Sequence, residues 1–497
     1  MLVLVSFLIM TTTYWGEKIP LKGGAGWDGE QYRELVLHVD EMFFQGEIDA
    51  YHMHRVLPFV VSHVALRLTG LPTTAANAMA VTIVVNQVVL LLAMLVFFRL
   101  SSLRQWRLPT ELMAFAAAFW NVAVLKVFGY YPFLTDELAL LLSLLAACHY
   151  FSAKRLWLLA DGLLAMLTWP ALSVVVFLLL VFPAPLEAHR ARSGGLPAGQ
   201  WLRWVGVVFY PLLFLTFIYY KVRVHGDIPF AEMFTLRPAR SALWAAVATA
   251  VVPVFYWWAL RPLSAVSLSL GQMPWRREVL GTAVFVILYK LTEWGSGVSG
   301  FTMAQELGQI AQLPASDVLV FLETPFIYWG PFFLLLLCLW PMWLRRVAGQ
   351  ESMGYLLTAV FFIFFLVDIE TRKHVMFFPF LLVPLMDEVD RLQLRRWVSG
   401  AFVALSLLMA AWWYPWNQAG MAEALNTYEL RCYLQFPAQW YFMFQGPWQG
   451  RLAYAISLAA EAGLLVGIYL LNRGGLLTKS KSYPFGLQKD SFWRSKG

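Results

Sequence analysis

Charge is scarce in this chain. Asp, Glu, Lys and Arg make up 13% of its 497 residues, about half the share of an ordinary soluble globule. A water-exposed domain of this size is therefore excluded. Cysteine is almost missing as well. Cys148, Cys338 and Cys432 are odd in number, far apart and without a Cys-x-x-Cys pair, so they point to no particular redox state or metal. Nothing matches the phosphate-binding loop GxxxxGK[ST], which disfavours a cytosolic nucleotide-driven enzyme. The N-terminus has neither a charged n-region nor an A-x-A-like site, so residues 2 to 15 read as a retained first helix, short for a span, and not as a cleaved signal. Neither a solenoid-type repeat nor an inverted repeat is visible.

What is abundant is apolar. Hydrophobic residues make up 60% of the chain and aromatics 16%. Runs long enough to cross a bilayer as helices recur from end to end. They read at about 76–99, 111–129, 137–152, 156–168, 170–184, 203–220, 240–260, 278–294, 327–344, 352–368, 375–388, 397–415 and 451–471. With the first helix the expectation is an all-α, polytopic transmembrane protein of 12–14 spans, residues 1–471, with a basic cytoplasmic tail at 472–497. More than half of the 37 Lys and Arg, among them Arg104, Arg107, Arg345, Arg346, Arg395 and Arg396, fall in one set of short loops together with the tail after Leu471. These are taken as cytoplasmic. The net charge of +7 then reflects topology and not nucleic acid. The long polar segment 16–75 faces the other side. Its stretch at 56–70 suits a helix lying in the membrane interface better than a span.

That segment is where chemistry is concentrated. Between Glu17 and Arg55 stand eight acids against four bases, with His38, His52 and His54. Gly26 and Gly29 flank Trp27-Asp28, placing Asp28 at a turn that opens a helix near Glu30. A carboxylate there can deprotonate a hydroxyl or hold a divalent cation beside a phosphate. The plainer reading is that Asp28 caps the helix. Asp136 and Glu137 open a later span at the same face, where Thr135 or Asp136 as a cap is again the plainer account. Arg372, Lys373 and His374 lie at that face too, where topology does not call for positive charge. They suit a phosphate, unless Asp368 and Glu370 simply neutralise them. Arg55 either meets a phosphate or snorkels. His52 and His54 are not at zinc-ligand spacing. Asp161, Lys126, Lys290 and Glu461 fall in or near apolar segments without forming a relay.

The order of these motifs resembles the GT-C superfamily of integral-membrane glycosyltransferases, and within it the bacterial and archaeal relatives of the mannosyltransferases of glycolipid-anchor assembly. The similarity lies in W-D-G-x-x-Y (Trp27, Asp28, Gly29, Tyr32), R-V-L-P (Arg55 to Pro58), P-F-x-T-D-x-L (Pro132 to Leu138) and a short hairpin at 159–180. ETRKHVMFFP (Glu370 to Pro379) resembles the family's E-x-R-x-x-x-x-P segment without matching it residue for residue. The resemblance implies an inverting transferase that moves a sugar, mannose or another hexose, from a polyprenyl-phosphate donor to a lipid, glycan or protein acceptor. The active site would face outward from a bacterial or archaeal plasma membrane. Asp28 would be the base, with Glu30 as helper. Trp27, Tyr32, His54, Arg55, Asp136, Glu137, Arg372, Lys373 and His374 are the substrate-binding candidates. Metal dependence varies within the family, and Asp28 and Asp136 are the candidates for a divalent cation such as Mg2+ or Mn2+. At the hairpin tip this chain has Trp169 where family members often have Arg. Two alternatives are a carrier or flippase of lipid-linked sugars, with Asp28 and Arg372 as gate charges, and a non-catalytic subunit of an envelope assembly.

Overall fold

A computed structural model describes residues 1–26, 28–183, 198–225, 242–265, 275–294, 296, 318–368, 371–413, 451–473, 476 and 477. Trp27, Glu370 and almost all of the 472–497 tail lie outside these. The described residues are helical, with no strand among them. Four helices are long and apolar enough to cross a membrane: Ala75–Arg104, Gln200–Tyr219, Pro331–Gln350 and Tyr454–Arg473. A fifth is counted if the bent pair Leu108–Phe119 and Ala123–Tyr130 forms one span. The protein is a helical membrane protein.

Most other apolar runs also become helices, at close to the expected bounds, but shorter ones. Asp136–Phe151, Arg155–Met166, Pro170–Val181, Met353–Phe365 and Arg396–Met409 have 12 to 16 residues. At about 1.5 Å per residue these reach roughly 18–24 Å, short of a hydrocarbon core of about 30 Å. The run expected at 327–344 begins earlier and is broken at Gly330 into Val320–Trp329 and Pro331–Gln350.

The bend in the Leu108–Tyr130 pair is 46°, and its cause is the Asn121 side chain. Asn121 Nδ2 donates to the carbonyls of Ala117 and Ala118, and its Oδ1 accepts the Val124 N–H. A side chain inserted into the helical ladder displaces the normal i to i−4 bonds, and a short π turn at Ala123–Val127 takes up the slack.

The 16–75 segment folds over one end of the bundle. Gly29–Gln45 packs against Leu57–Thr69 and against the start of Ala75–Arg104. A small apolar core of its own includes Tyr32, Leu35, Val36, Phe59 and Leu66. Leu57–Thr69 coincides with the helix expected to lie in the interface, and Val61, Val64 and Leu68 on it are exposed.

At the opposite end the helices are clamped by charge. Buried Asp387 accepts from Arg104, from Arg346 Nη2 at 2.9 Å and from Trp106 Nε1 at 2.8 Å. Arg346 Nη1 also reaches Glu388 at 2.8 Å. Ala75–Arg104 links the two ends, with Ala78 and Val81 in the core of the covered end and Arg104 in the clamp.

Candidate active site

Asp28 precedes the first turn of Gly29–Gln45, but its side chain makes no capping hydrogen bond. The plainer reading of Asp28 as a helix cap is therefore corrected. Oδ2 instead accepts from the Tyr51 hydroxyl at 3.0 Å. Oδ1 has no protein partner among the described residues. The carboxylate is thus fixed through one oxygen and open at the other, which is the arrangement a general base needs.

Asp28 is placed by a phenol from a distant part of the chain. Its backbone N–H donates to Tyr131 Oη at 3.2 Å. The Tyr131 ring fills the space left by two glycines. A Cβ on Gly26 would stand 2.3 Å from Tyr131 Cε2, and one on Gly29 3.0 Å from the same atom. Gly26 also has φ +85°, where a side chain is strained in any surroundings. The glycines around Trp27-Asp28 therefore make room for a ring as well as a turn. Burial, followed by the Asp28 carboxylate, raises the Tyr131 pKa, and the nearby Arg372 guanidinium opposes this. Tyr131 thus lies within electrostatic range of both.

Arg372 Nη1 pairs with Asp136 Oδ2 at 3.2 Å, across 236 residues of sequence. Asp136 is fully buried, and neither it nor Thr135 caps the Asp136–Phe151 helix through its side chain. The capping account of this pair is corrected as well: Asp136 holds the guanidinium. Glu137 faces away, toward the first helix, where Oε1 accepts from Tyr14 Oη at 2.9 Å and Asn86 Nδ2 at 3.1 Å. It anchors the Leu2–Tyr14 and Ala75–Arg104 helices behind the site.

Arg55 Nη1 donates to the Tyr51 carbonyl at 3.1 Å. Its guanidinium lies 3.7 Å from the centre of the Tyr51 ring and 5.2 Å from that of Trp169. Trp169 sits at the tip of the Arg155–Met166 and Pro170–Val181 hairpin, so the hairpin presents an aromatic face and the guanidinium comes from the 16–75 segment. Tyr32 is buried and stacked on Phe59, with ring centres 4.3 Å apart. Its hydroxyl pKa is raised well above its ordinary value, mainly by burial.

The remaining candidates are placed differently. Glu30 pairs at the surface with Lys22 at 2.7 Å, and this contact lowers its pKa. His54 Nδ1 bonds with the Met166 carbonyl at 3.0 Å, and the ring stacks on Tyr289. Burial lowers its pKa. Lys373 Nζ is 3.4 Å from Asp368, as local neutralisation would have it, whereas its neighbour Arg372 pairs with Asp136, 236 residues away in sequence. His374 is fully buried, edge-on to Trp329, Phe362 and Phe365. Burial pushes its pKa down to about 3.

Among the described residues no three His, Cys, Asp or Glu side chains converge as a bound metal would require, and Asp136 is engaged by Arg372. Two site residues escaped the sequence reading. Tyr51 and Tyr131 carry no motif of their own, and only the fold brings them to Asp28. Compared with known protein families, with curated proteins and with solved structures, the chain matches none.

Proposed function

We propose that this chain is a GT-C-type membrane glycosyltransferase that moves a sugar from a polyprenyl-phosphate donor to an acceptor hydroxyl at the outward face. The bundle would cross the bilayer 12–14 times. The observation that carries the reading is at one end of the bundle: Asp28, open at Oδ1 and held through its N–H by Tyr131, and Arg372, held by Asp136 five residues beyond Tyr131. A polar site of this kind, backed by long apolar helices, suits a substrate with a lipid tail and a charged head.

The chemistry is a single displacement. Asp28 Oδ1 takes the proton from the acceptor hydroxyl as that oxygen forms a bond to the anomeric carbon. The bond from the same carbon to the lipid-phosphate oxygen breaks, and its electron pair leaves on the phosphate. Attack opposite the leaving group inverts the anomeric centre. Arg372 offsets the charge that grows on the phosphate, and Arg55 supplies the second guanidinium. Arg55 stands in for the arginine that this chain lacks at the hairpin tip.

The test uses purified protein, a panel of radiolabelled polyprenyl-phosphate sugars and a membrane lipid extract as acceptor. Labelled product is expected from the wild type and none from Asp28→Asn, with the two proteins melting at the same temperature. Absence of product from every donor, or equal product from Asp28→Asn, would overturn the reading.

A further inference from the structure

Tyr131 is 6% exposed, and its hydroxyl oxygen accepts the Asp28 N–H. Its own O–H meets no acceptor among the described residues. Buried phenols normally donate as well as accept, because a desolvated O–H without a partner costs about 1–3 kcal/mol. The position is not one that the chain could easily avoid. Gly26 and Gly29 give up their side chains to admit this ring, and a phenylalanine would fill the same cradle without the hydroxyl. The hydroxyl oxygen serves the Asp28 N–H, and neither that bond nor the packing uses its proton.

Its surroundings indicate what would accept the proton. The Asp28 N–H takes a lone pair of the oxygen and leaves the proton of the O–H to be donated. Both the Asp28 carboxylate and the Arg372 guanidinium lie within electrostatic range of the phenol, and the carboxylate already takes the Tyr51 hydroxyl. Arg372 is the natural partner of an anion here, and an anion beside it would accept the phenol O–H. We propose that Tyr131 is a phosphate-binding residue, its O–H donating to the oxygen of a lipid phosphate that Arg372 pairs with. The inference deepens the glycosyl-transfer reading and rests on it for the lipid. One phenol then touches the phosphate and positions the base, so that filling the phosphate site and orienting Asp28 are linked.

The experiment measures binding separately from transfer. Wild type and Tyr131→Phe in lipid nanodiscs are titrated with undecaprenyl phosphate, undecaprenol and inorganic phosphate, and binding is read by tryptophan fluorescence. Tyr131→Phe should bind undecaprenyl phosphate at least about tenfold more weakly, the loss of one hydrogen bond to a charged group, and undecaprenol as the wild type does. Inorganic phosphate should bind far more weakly than the lipid. A difluorotyrosine at position 131 keeps the ring and hydroxyl while strengthening the donor, and should tighten binding. Unchanged affinity for undecaprenyl phosphate in both variants overturns the proposal, and inorganic phosphate binding as tightly as the lipid overturns the lipid assignment. If Tyr131→Phe loses its fold, the fluorinated protein decides alone. Weakened binding in Tyr131→Phe with no sugar transfer by the wild type would sink the glycosyltransferase reading and leave the phosphate contact standing.

Discussion

Tyr51 divides the two oxygens of Asp28 between different tasks, holding Oδ2 and leaving Oδ1 for a substrate proton. Tyr51→Phe should keep the fold, because Arg55 stacks on the ring and not on the hydroxyl. It should lower kcat about tenfold through loss of orientation, with the melting temperature within a degree or two of wild type. A drop in stability with unchanged kcat would show that the hydroxyl is structural. Gly26 gives the opposite pattern. Gly26→Ala forces a methyl against the Tyr131 ring at a positive φ, at a cost of about 2 kcal/mol or more from strain and overpacking together. Thermal unfolding and activity should fall together in that variant.

Among the elements, the turn at Thr371–Phe377 does two things at once. Arg372 leaves it for Asp136, and His374 roots it in an aromatic box. His374 is held neutral by burial, its pKa down at about 3 against an ordinary value of 6.5. As pH falls from 6.5 toward 3, the unfolded chain takes up a proton that the folded one does not, so the turn loses stability over that window. His374→Phe should flatten the fall of the melting temperature below pH 6.5 and leave it almost unchanged above pH 7. The clamp at the other end should be less tolerant of change. Asp387→Ala takes one of two acceptors from Arg346, leaving it Glu388 alone, and strips the buried Trp106 N–H of its partner, a loss of about 1–3 kcal/mol for the unsatisfied donor. A melt in detergent should show the loss, with the residual activity of the folded fraction retained.

For the whole molecule, the lipid-facing surface is open to test. Val88 lies midway along Ala75–Arg104 and is exposed on that apolar helix. Val88→Arg should cost about 2.5–3.5 kcal/mol of insertion if that face meets hydrocarbon, read as a fall in the membrane-integrated fraction. Retention of full integration would place the helix inside a larger assembly. Much of this organisation is legible in the sequence, because apolar run length reports directly on what water excludes. The Leu57–Thr69 helix, the helix opening at Asp28 and the 155–181 hairpin follow from local signals. The breaks at Asn121 and Gly330 escape notice because each depends on where one side chain or one dihedral angle sends the chain.

The sequence by itself determined that the chain is a helical membrane protein, and which segments carry charge and polarity amid the apolar runs, since these follow from composition and from the length of those runs. Only the tertiary structure decided which charged groups meet. Arg372 finds Asp136 while its neighbour Lys373 stays with Asp368, and Asp28 turns from capping its own helix to the phenols of Tyr51 and Tyr131. A buried charge or donor takes whichever partner the packed backbone brings within about 3 Å. For Arg372 with Asp136 and for Asp28 with Tyr131 the choice is made between residues more than a hundred positions apart, where no local pattern of residues can record it.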